Sequence, residues 1–314
     1  MRAIAIAKIG DAPTLMDLPK PTPGEGEILV HLGAAGINPI DWKIADGAFM
    51  SQMPYVFPLI LGVDGAGTVE AVGPGVKRLA VGNAVFGQFL HPPAGIGTYA
   101  EYVVAPETLG LSTYPPSMTV DQAAAVPTAG MTALTILDKL GLGEGQSLLI
   151  LGAGGGVGSF AVQLASQRRI ATLAASRGEN RDYLTQLGAS RFYDSSATSF
   201  HDEVRRNYPK GLDAILDLNN RGPEFERNLS LVRRGGTVAS PIGAAVDAVV
   251  QPHGLVGLNI GLRPSPDLLD RLSQEFVSGK LRIPIEEKIS LAAVADAIAR
   301  RRLGKGRGKT VIGI

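Results

Sequence analysis

Apolar positions along the chain follow two rhythms, and the change from one to the other falls near residue 146. Before that point, short apolar runs alternate with clusters of proline and glycine, and helix signals are nearly absent until Asp121. This pattern is typical of β-strands joined by tight turns. It predicts a compact, partly open β-barrel. The predicted strands are Glu27–Leu32, Gly67–Val72, Asn83–Phe89 and Thr98–Val104, followed by helices over Ala123–Val126 (capped by Asp121) and Met131–Leu140.

From Gln146 onward, apolar segments of strand length and helix length alternate. Such alternation predicts a doubly wound parallel sheet, an α/β fold. The predicted strands are Leu148–Leu151, Ile170–Ala174, Arg191–Tyr193, Ala214–Leu218, Thr237–Ser240 and Gly257–Gly261. The predicted helices between them are Val157–Gln167, Arg181–Leu187, Phe200–Asn207 and Glu224–Val232. Beyond Pro264 the pattern predicts a helix, a strand near Glu287–Ser290, a helix over Ala292–Arg302 and a last strand, Thr310–Ile314.

The stretch Gln146–Leu164 predicts a strand, a glycine turn and a helix. The apolar run Leu148–Leu151 is typical of a strand that is buried on both faces. Five glycines follow it: Gly152, Gly154, Gly155, Gly156 and Gly158. Without a Cβ, glycine lets phosphates approach the main chain, and the amides at a helix N-terminus favour an anion there. The turn, with Val157 beginning the helix, is therefore a candidate pyrophosphate cradle; the alternative is a tight connection that binds no ligand.

Composition narrows the function classes. A chain of 314 residues is long enough for two domains, and its net charge of +1 gives no sign of a nucleic-acid or membrane-surface partner. The absence of cysteine excludes disulfides, a thiolate nucleophile and cysteine-bound zinc. The N-terminal residues alternate as a strand does and contain no signal-peptide apolar region. We expect a cytoplasmic protein.

Several longer motifs make the chain similar to one known family. They are PTPGEGEILV (21–30), GINPIDWK (36–43), PLILGVDGAGTVEAVGPGV (58–76), GTYAEYVVAP (97–106), VPTAGMTAL (126–134), GAGGGVGSFAVQLA (152–165), GLDAILD (211–217) and GRGKTVI (306–312). The order of these motifs resembles the medium-chain dehydrogenase/reductase superfamily, and more narrowly its zinc-free quinone oxidoreductase and alkenal/enone reductase branch.

This resemblance implies a domain organisation and an assembly. A GroES-like catalytic domain would comprise residues 1–120 with 262–314, and a Rossmann NADP-binding domain would comprise residues 121–261, with a cleft between the two. The last Rossmann strand, predicted at Gly257–Gly261, often pairs edge to edge in this family, so the resemblance also implies a homodimer.

The same resemblance bears on metal chemistry. Zinc-dependent members hold their catalytic metal with a cysteine and a histidine, and this chain has Asn38 and Val63 at those positions. An amide and a valine cannot form a tetrahedral zinc site, and the family's four-cysteine structural lobe has no counterpart here. The four histidines show no paired ligand spacing. We expect no metal.

Cofactor choice is expected to depend on the residues after the second Rossmann strand. An NAD site usually has an acidic residue there, whereas this chain has Ser176 and Arg177. A guanidinium suits a 2′-phosphate, so we predict NADPH; the alternative is an ordinary solvated arginine. The family also tends to place a tyrosine near that phosphate, but here Tyr193 lies two places early and Ser195 takes the position. Asn219, at the end of the fourth strand, is a further candidate contact.

Candidate catalytic residues come from the resemblance. It implies that Asn38 and Thr128 lie near the nicotinamide and the substrate, and that Asp41 braces the same segment. Asn38 either donates a hydrogen bond to a developing enolate or hydroquinone anion, or is a turn residue before Pro39. Four aromatic residues either line an apolar substrate slot or belong to the core of the barrel: Tyr55, Phe57, Phe89 and Tyr99.

These predictions define a function and its rivals. The first hypothesis is an NADPH-dependent, metal-independent reductase of quinones or α,β-unsaturated carbonyls. An enoyl-thioester reductase would need a basic rim for its acyl carrier, and no such cluster is evident. A non-catalytic NADPH- or RNA-binding protein on the same fold is the third hypothesis. RNA binding is favoured by a basic run near the C-terminus: Arg300, Arg301, Arg302, Lys305, Arg307 and Lys309. The alternative is that this run is a solvated helix end.

Overall fold

The computed structural model describes all residues, 1–314, and they form two compact units. The first unit comprises Met1–Ala129, Pro264–Val277 and Ile285–Ile314. The second unit comprises Gly130–Arg263 and Ser278–Pro284. The first boundary thus falls after residue 129 rather than after residue 120, because the helix over Val120–Ala125 packs on strands of the first unit.

Strands and helices are numbered here in chain order. The strands are β1 (Arg2–Ile6), β2 (Thr14–Asp17), β3 (Glu27–Gly36), β4 (Leu59–Ile60), β5 (Asp64–Val72), β6 (Ala84–Gln88), β7 (Tyr102–Pro106), β8 (Leu111–Thr113), β9 (Ser147–Leu151), β10 (Ala171–Ser176), β11 (Arg191–Asp194), β12 (Leu212–Asp217), β13 (Val232–Ser240), β14 (Val256–Asn259), β15 (Ile285–Ser290) and β16 (Lys309–Gly313). The α-helices are α1 (Pro39–Ala45), α2 (Val120–Ala125), α3 (Pro127–Leu140), α4 (Gly156–Gln167), α5 (Arg181–Gln186), α6 (Phe200–Asn207), α7 (Gly222–Leu229), α8 (Asp247–Val250), α9 (Pro266–Val277) and α10 (Val294–Arg302). None of these helices has both the length and the apolar character needed to cross a membrane.

The first unit is built on β3, a strand of ten residues. β3 pairs antiparallel with β5, β7 and β16, and its ladder with β5 shifts register twice. Such register shifts bend a strand, so one strand can pair with several others along its length. The resulting sheet runs β15-β16-β3-β5-β6-β8, and a smaller sheet runs β2-β1-β4. This β-rich architecture agrees with the predicted first domain.

The second unit contains a six-stranded sheet in the order β11-β10-β9-β12-β13-β14, with every pair parallel. All five residues of β9 are buried, as expected for a central parallel strand covered on both faces. The strand order reverses between β9 and β12, which is where doubly wound sheets bind their ligands. The predicted doubly wound α/β fold is confirmed.

The helix α1 is a departure from the sequence-based expectation, which placed almost no helix before Asp121. It begins after Asn38, has Pro39 as its first residue, and has Asp41 at the third position. The Asp41 carboxylate accepts a 2.6 Å hydrogen bond from the Asn38 backbone N–H, which is half of a capping box. These start signals were readable, but the helix is only seven residues long and too short to show a helical period.

Candidate active site

The glycine turn of the second unit lies at the carboxyl end of β9. Gly152 has a left-handed φ of +80°, and a Cβ there would lie 3.0 Å from Asn219 Oδ1. A Cβ on Gly158 would lie 2.5 Å from the Gly152 carbonyl oxygen, so this glycine allows α4 to pack closely on the turn. A Cβ on Gly154 would lie 2.8 Å from Ser176 Oγ. The turn is therefore packed closely on three sides by its own unit.

Gly155 differs from these neighbours. Its backbone is extended, and a Cβ there would have only one heavy atom within 4 Å, the Gly152 oxygen at 3.5 Å. Gly155 is also the N-cap of α4, a helix of twelve residues with no side-chain cap and no acidic residue in its first turn. The first amides of a helix have no intrahelical partner, and Gly156 and Val157 provide such amides beside this open space. The cradle fits a pyrophosphate group.

The end of β10 supplies the predicted cofactor-selecting residues. Ser176 is half-buried, and its Oγ accepts a 2.9 Å hydrogen bond from Asn180 Nδ2. The Arg177 side chain is 48% exposed, and its Nε lies 4.0 Å from a Glu179 carboxylate oxygen. Ser176 and Asn180 are both close to Gly154, so the structure joins this polar pair to the glycine turn. Asn180 is a residue that sequence reasoning missed.

A carboxylate also lies near this loop. Asp194 ends β11 and is the register partner of Ser176. Hydrogen bonds from the Ser196 hydroxyl and backbone N–H lower the pKa of Asp194, so it carries a negative charge. A Cβ on Gly178 would lie 2.8 Å from Asp194 Oδ2, which puts this charge beside the 177–178 turn. No sequence pattern indicated that Asp194 faces the loop.

The two remaining cofactor candidates have different surroundings. Tyr193 is buried in the core of the second unit, where its hydroxyl accepts a 3.1 Å hydrogen bond from Asn207. The structure therefore does not bring Tyr193 to the glycine turn. Asn219 does face the turn, and its backbone N–H donates to Asp217. Asp217 is completely buried and also accepts from Asn220 and Asn228, so this carboxylate fixes the turn that carries Asn219.

A second polar site is buried in the first unit. Its members come from six separate segments and are joined by hydrogen bonds: Asn38, Asp41, Asp64, Gln88, Tyr99, Thr128 and Lys309. We call this set the Asp64 cluster. All of its members are buried except Thr128, which is half-buried. Buried polar groups are costly unless they are paired, so a fully bonded set of this kind fixes one arrangement of its segments.

Asp64 is the centre of the cluster and has no solvent-accessible surface. Its Oδ1 accepts a 2.6 Å hydrogen bond from the Thr128 hydroxyl, and its Oδ2 accepts a 2.8 Å bond from Asn38 Nδ2. The Thr128 backbone N–H donates to both oxygens at 3.0 and 3.1 Å. Burial raises the pKa of Asp64, and the Lys309 ammonium, 3.9 Å away, opposes that rise.

Lys309 was placed in a basic surface run by the sequence, but it is only 2% exposed. Its Nζ donates to Asn38 Oδ1 at 2.6 Å and to the Ile37 carbonyl at 2.9 Å. These bonds orient the Asn38 amide, whose Nδ2 then donates to Asp64 and to the Gly36 carbonyl. Burial lowers the pKa of Lys309, while the nearby carboxylates support its charge. The amide of Asn38 is thus satisfied within the protein, and no contact here singles it out as a donor to substrate.

Asp41 serves as a brace within the same cluster. Its Oδ2 accepts from the Tyr99 hydroxyl at 2.5 Å and from the Asn38 N–H, and its Oδ1 accepts from the Val63 N–H at 3.0 Å. Burial raises the pKa of Asp41 to about 7, against the effect of these hydrogen bonds. The bonds from Tyr99 and Val63 tie α1 to two other segments, so Asp41 holds the structure around Asn38.

The four aromatic slot candidates divide into two pairs. Phe89 and Tyr99 have no accessible surface and belong to the core of the first unit, and Tyr99 is also bonded to Asp41. Tyr55 is half-buried and Phe57 is 42% exposed, with ring centroids 6.5 Å apart. A small cleft in the first unit is lined by Asp41, Ile44, His91 and apolar neighbours, and by none of the four aromatics. Only Tyr55 and Phe57 are accessible to a ligand.

At the two positions where zinc-dependent members hold a metal, this chain has Asn38 and Val63, and both side chains have other roles. Asn38 is bonded as described, and Val63 is buried in the core. No cluster of three or more histidine, aspartate or glutamate side chains is arranged to hold a metal ion. Most of the basic run is neutralised locally. Arg300 pairs with Glu287, Arg301 and Arg307 with Glu286, and Arg302 with Asp46.

Comparisons with known proteins place the chain among oxidoreductases. Residues 24–115 match the model of the alcohol dehydrogenase GroES-like domain, and residues 187–312 match that of the zinc-binding dehydrogenase. The chain is 32% identical to the chloroplast envelope quinone oxidoreductase homolog of Arabidopsis thaliana, covering 95% of this chain and 92% of that protein. It is also 32% identical to the 2-methylene-furan-3-one reductase of Solanum lycopersicum, covering 92% and 72%. A mycobacterial protein complexed with NADPH superposes with a TM-score of 0.87 at 25% identity, covering all of both chains.

Proposed function

The chain belongs to the quinone oxidoreductase and alkenal/enone reductase branch of the medium-chain dehydrogenase/reductase superfamily, and on that premise we propose that it is an NADPH-dependent, zinc-independent reductase of quinones or α,β-unsaturated carbonyls. The observation that carries the proposal is the glycine turn after β9, open at Gly155 and joined through Gly154 to Ser176. When bound there, NADPH supplies the hydride. The protein binds it, positions the acceptor and excludes water.

The choice of NADPH over NADH rests on the loop after β10. Ser176 and the half-exposed Arg177 follow the strand where an NAD site usually has a carboxylate. A guanidinium recognises phosphate by paired hydrogen bonds, whereas Asp194 on the next strand opposes an added negative charge. We therefore propose a preference for NADPH that is real but moderate.

Zinc independence rests on the Asp64 cluster. The amide oxygen of Asn38 is bonded to the buried ammonium of Lys309, and the side chain of Val63 offers no ligand atom. A divalent ion beside Lys309 would meet a fixed positive charge instead of a thiolate and an imidazole. The proposed reduction accordingly uses positioning and hydrogen bonding instead of a Lewis acid.

The proposal also covers partners and setting. We propose a small-molecule substrate, no nucleic-acid partner and a cytoplasmic location. The local pairing of the basic run supports the second of these points. We further propose a homodimer, because β14 is the last strand of its sheet, with one unpaired edge and with Val256 51% exposed. Light scattering on the purified protein tests the dimer.

The test of function is the oxidation of NADPH and NADH against a panel of quinones, enones, enals and enoyl-CoA thioesters. We expect turnover with NADPH and the first three acceptor classes. Preferred turnover of enoyl-CoA would replace the proposed substrate class. RNA binding without oxidation of NADPH against any acceptor would overturn the proposal.

A further inference from the structure

Thr128 is the one member of the Asp64 cluster that is not buried. Thr128 is half-buried, whereas its side-chain neighbours Asp64 and Gln88 are buried. Its Oγ1 accepts a 2.7 Å hydrogen bond from Gln88 Nε2 and donates its own proton to Asp64 Oδ1 at 2.6 Å. A hydroxyl has one proton and two lone pairs, so one lone pair remains unfilled in this arrangement.

A proton on Asp64 reverses this order. The carboxylic acid then donates to Thr128 Oγ1, while Gln88 Nε2 continues to donate to the same atom. Both lone pairs of the hydroxyl are filled, and neither side-chain neighbour offers an acceptor for its proton. The O–H of Thr128 must then point away from both of these neighbours. The protonation state of Asp64 therefore decides whether Thr128 donates inward or outward.

The charges of the cluster favour a stored proton. Two buried carboxyl groups, Asp41 and Asp64, share one buried ammonium, Lys309, and Tyr99 and Arg301 are the other titratable or charged groups that act on them. With both acids ionised the buried set carries a net negative charge, which a low-dielectric interior disfavours. Burial accordingly raises the pKa of both carboxyl groups.

We propose that Asp64 and Thr128 form a proton relay for the reduction, with Thr128 as the catalytic acid that protonates the reduced substrate and Asp64 acting through it. This proposal rests on the proposed function, because a quinone or an enone that accepts a hydride must also accept a proton. The geometry supplies both a proton store and an exit for the proton.

In this reduction the substrate receives one hydride and one proton. The β-carbon of an enone, or a ring carbon or oxygen of a quinone, receives the hydride, and the displaced electron pair moves to a substrate oxygen. The Thr128 O–H bond breaks as its proton passes to that oxygen, while the proton of Asp64 passes to Thr128 Oγ1. Asp64 ends as a carboxylate that accepts from Thr128 and Asn38, beside Lys309. After product release, water returns one proton to Asp64 through Thr128.

The kinetic test uses Thr128→Val, which keeps the shape of the side chain and removes its hydroxyl. We expect kcat to fall about a hundredfold or more, as for the loss of a general acid, while NADPH binding stays unchanged. Thr128→Ser should restore most of the activity. Thr135→Val is the matched control, because its hydroxyl, on the same helix, has no hydrogen-bond partner. Wild-type kcat should fall with rising pH, because Asp64 then loses its proton. This pH dependence should be absent in Thr128→Val.

A second readout needs neither cofactor nor substrate. The infrared difference spectrum of the free protein between low and high pH should contain the carbonyl band of the Asp64 carboxylic acid. That band should shift in Thr128→Val, which removes its hydrogen-bond acceptor, and should stay in place in Thr135→Val. Asp64→Asn should abolish it. The response to Thr128→Val identifies the band even if Asp64→Asn fails to fold, because Asp41 makes no contact with Thr128 Oγ1.

The outcomes separate the relay from the proposed function. Wild-type turnover and pH profile in Thr128→Val overturn the relay, and so does a carboxylic acid band that is insensitive to Thr128. If the wild-type protein fails to oxidise NADPH with every acceptor of the panel, the proposed function is wrong. In that case the infrared result still decides whether Asp64 stores a proton behind Thr128.

Discussion

The glycine turn of the second unit and the Asp64 cluster of the first unit are built on opposite principles. The turn consists of backbone amides and missing side chains within residues 152–158, and it is open where Gly155 lies. The cluster consists of side chains that are distant in sequence, from Asn38 to Lys309, and nearly every polar atom in it has a partner inside the protein. An open backbone site can bind an anion by shape, whereas a closed side-chain site can hold charge and fix geometry. Changes to the first should alter affinity, and changes to the second should alter stability and proton transfer.

The largest effect is expected from Lys309→Met, which removes the only ammonium of the cluster. Two buried carboxyl groups lose their counter-charge and Asn38 loses its 2.6 Å hydrogen bond. Breaking a buried ion pair on one side costs about 3–5 kcal/mol of stability. Urea unfolding should show that loss, whereas the exposed Lys305→Met should show almost none. Equal stability of the two variants would mean that Lys309 contributes no net charge compensation.

Gly155→Val should abolish cofactor binding without unfolding the protein. The Gly155 backbone is extended and a Cβ there meets open space, so the new side chain is tolerated but occupies the proposed pyrophosphate position. We expect NADPH affinity to fall at least about a hundredfold, or ~2.7 kcal/mol. Calorimetric titration measures it, and Gly143→Val, in another loop of the same unit with ordinary φ, is the control. Unchanged binding in Gly155→Val would place the cradle elsewhere.

Arg177→Ala tests whether the Arg177 guanidinium binds the 2′-phosphate of NADPH. A charge-assisted contact contributes about 1.5–3 kcal/mol, so NADPH affinity should fall roughly ten- to a hundredfold. NADH affinity should stay nearly constant, and added salt should erode the wild-type preference, because the side chain is half-exposed. Arg205→Ala, on α6, is the control. Equal losses for both cofactors would show that Arg177 supports its loop instead of binding phosphate.

Asp41 should make stability depend on pH. Its pKa rises from 3.8 to about 7 on folding, so between these values the folded protein holds a proton that the unfolded chain releases. The contribution of Asp41 to the free energy of unfolding therefore falls as pH rises, by up to about 1.4 kcal/mol per pH unit. The stability difference between wild type and Asp41→Asn should shrink over that interval. A constant difference from pH 4 to pH 7 would contradict a raised pKa.

The smallest effect is expected from metal removal. Prolonged dialysis against a chelator should leave turnover unchanged, because neither Asn38 nor Val63 can hold zinc in its present contacts. Stoichiometric zinc together with chelator-sensitive turnover would contradict zinc independence.

The two sites also differ in how far they could be foreseen. The strand before the glycine turn and the helix after it each begin one residue earlier than predicted, at Ser147 and Gly156, and both end where predicted. The prediction succeeded because a buried strand, its turn and the following helix are local in sequence. The strand predicted over Thr98–Val104 begins only at Tyr102, because the residues before it exchange backbone hydrogen bonds with Leu61 and Ile4. Tyr193 and Phe89 lie in cores, which alternation along a strand could not distinguish from a ligand-facing position.

Local pattern determined the fold class, the glycine turn and the loop after β10, since backbone conformation and strand burial depend on neighbouring residues. Tertiary structure alone decided that Lys309 leaves its basic run to neutralise buried acids, and that Thr128 faces Asp64 across 64 residues of chain. The reason is physical. A charge can be buried only where partners from distant segments satisfy it, and one sequence does not state which segments will meet.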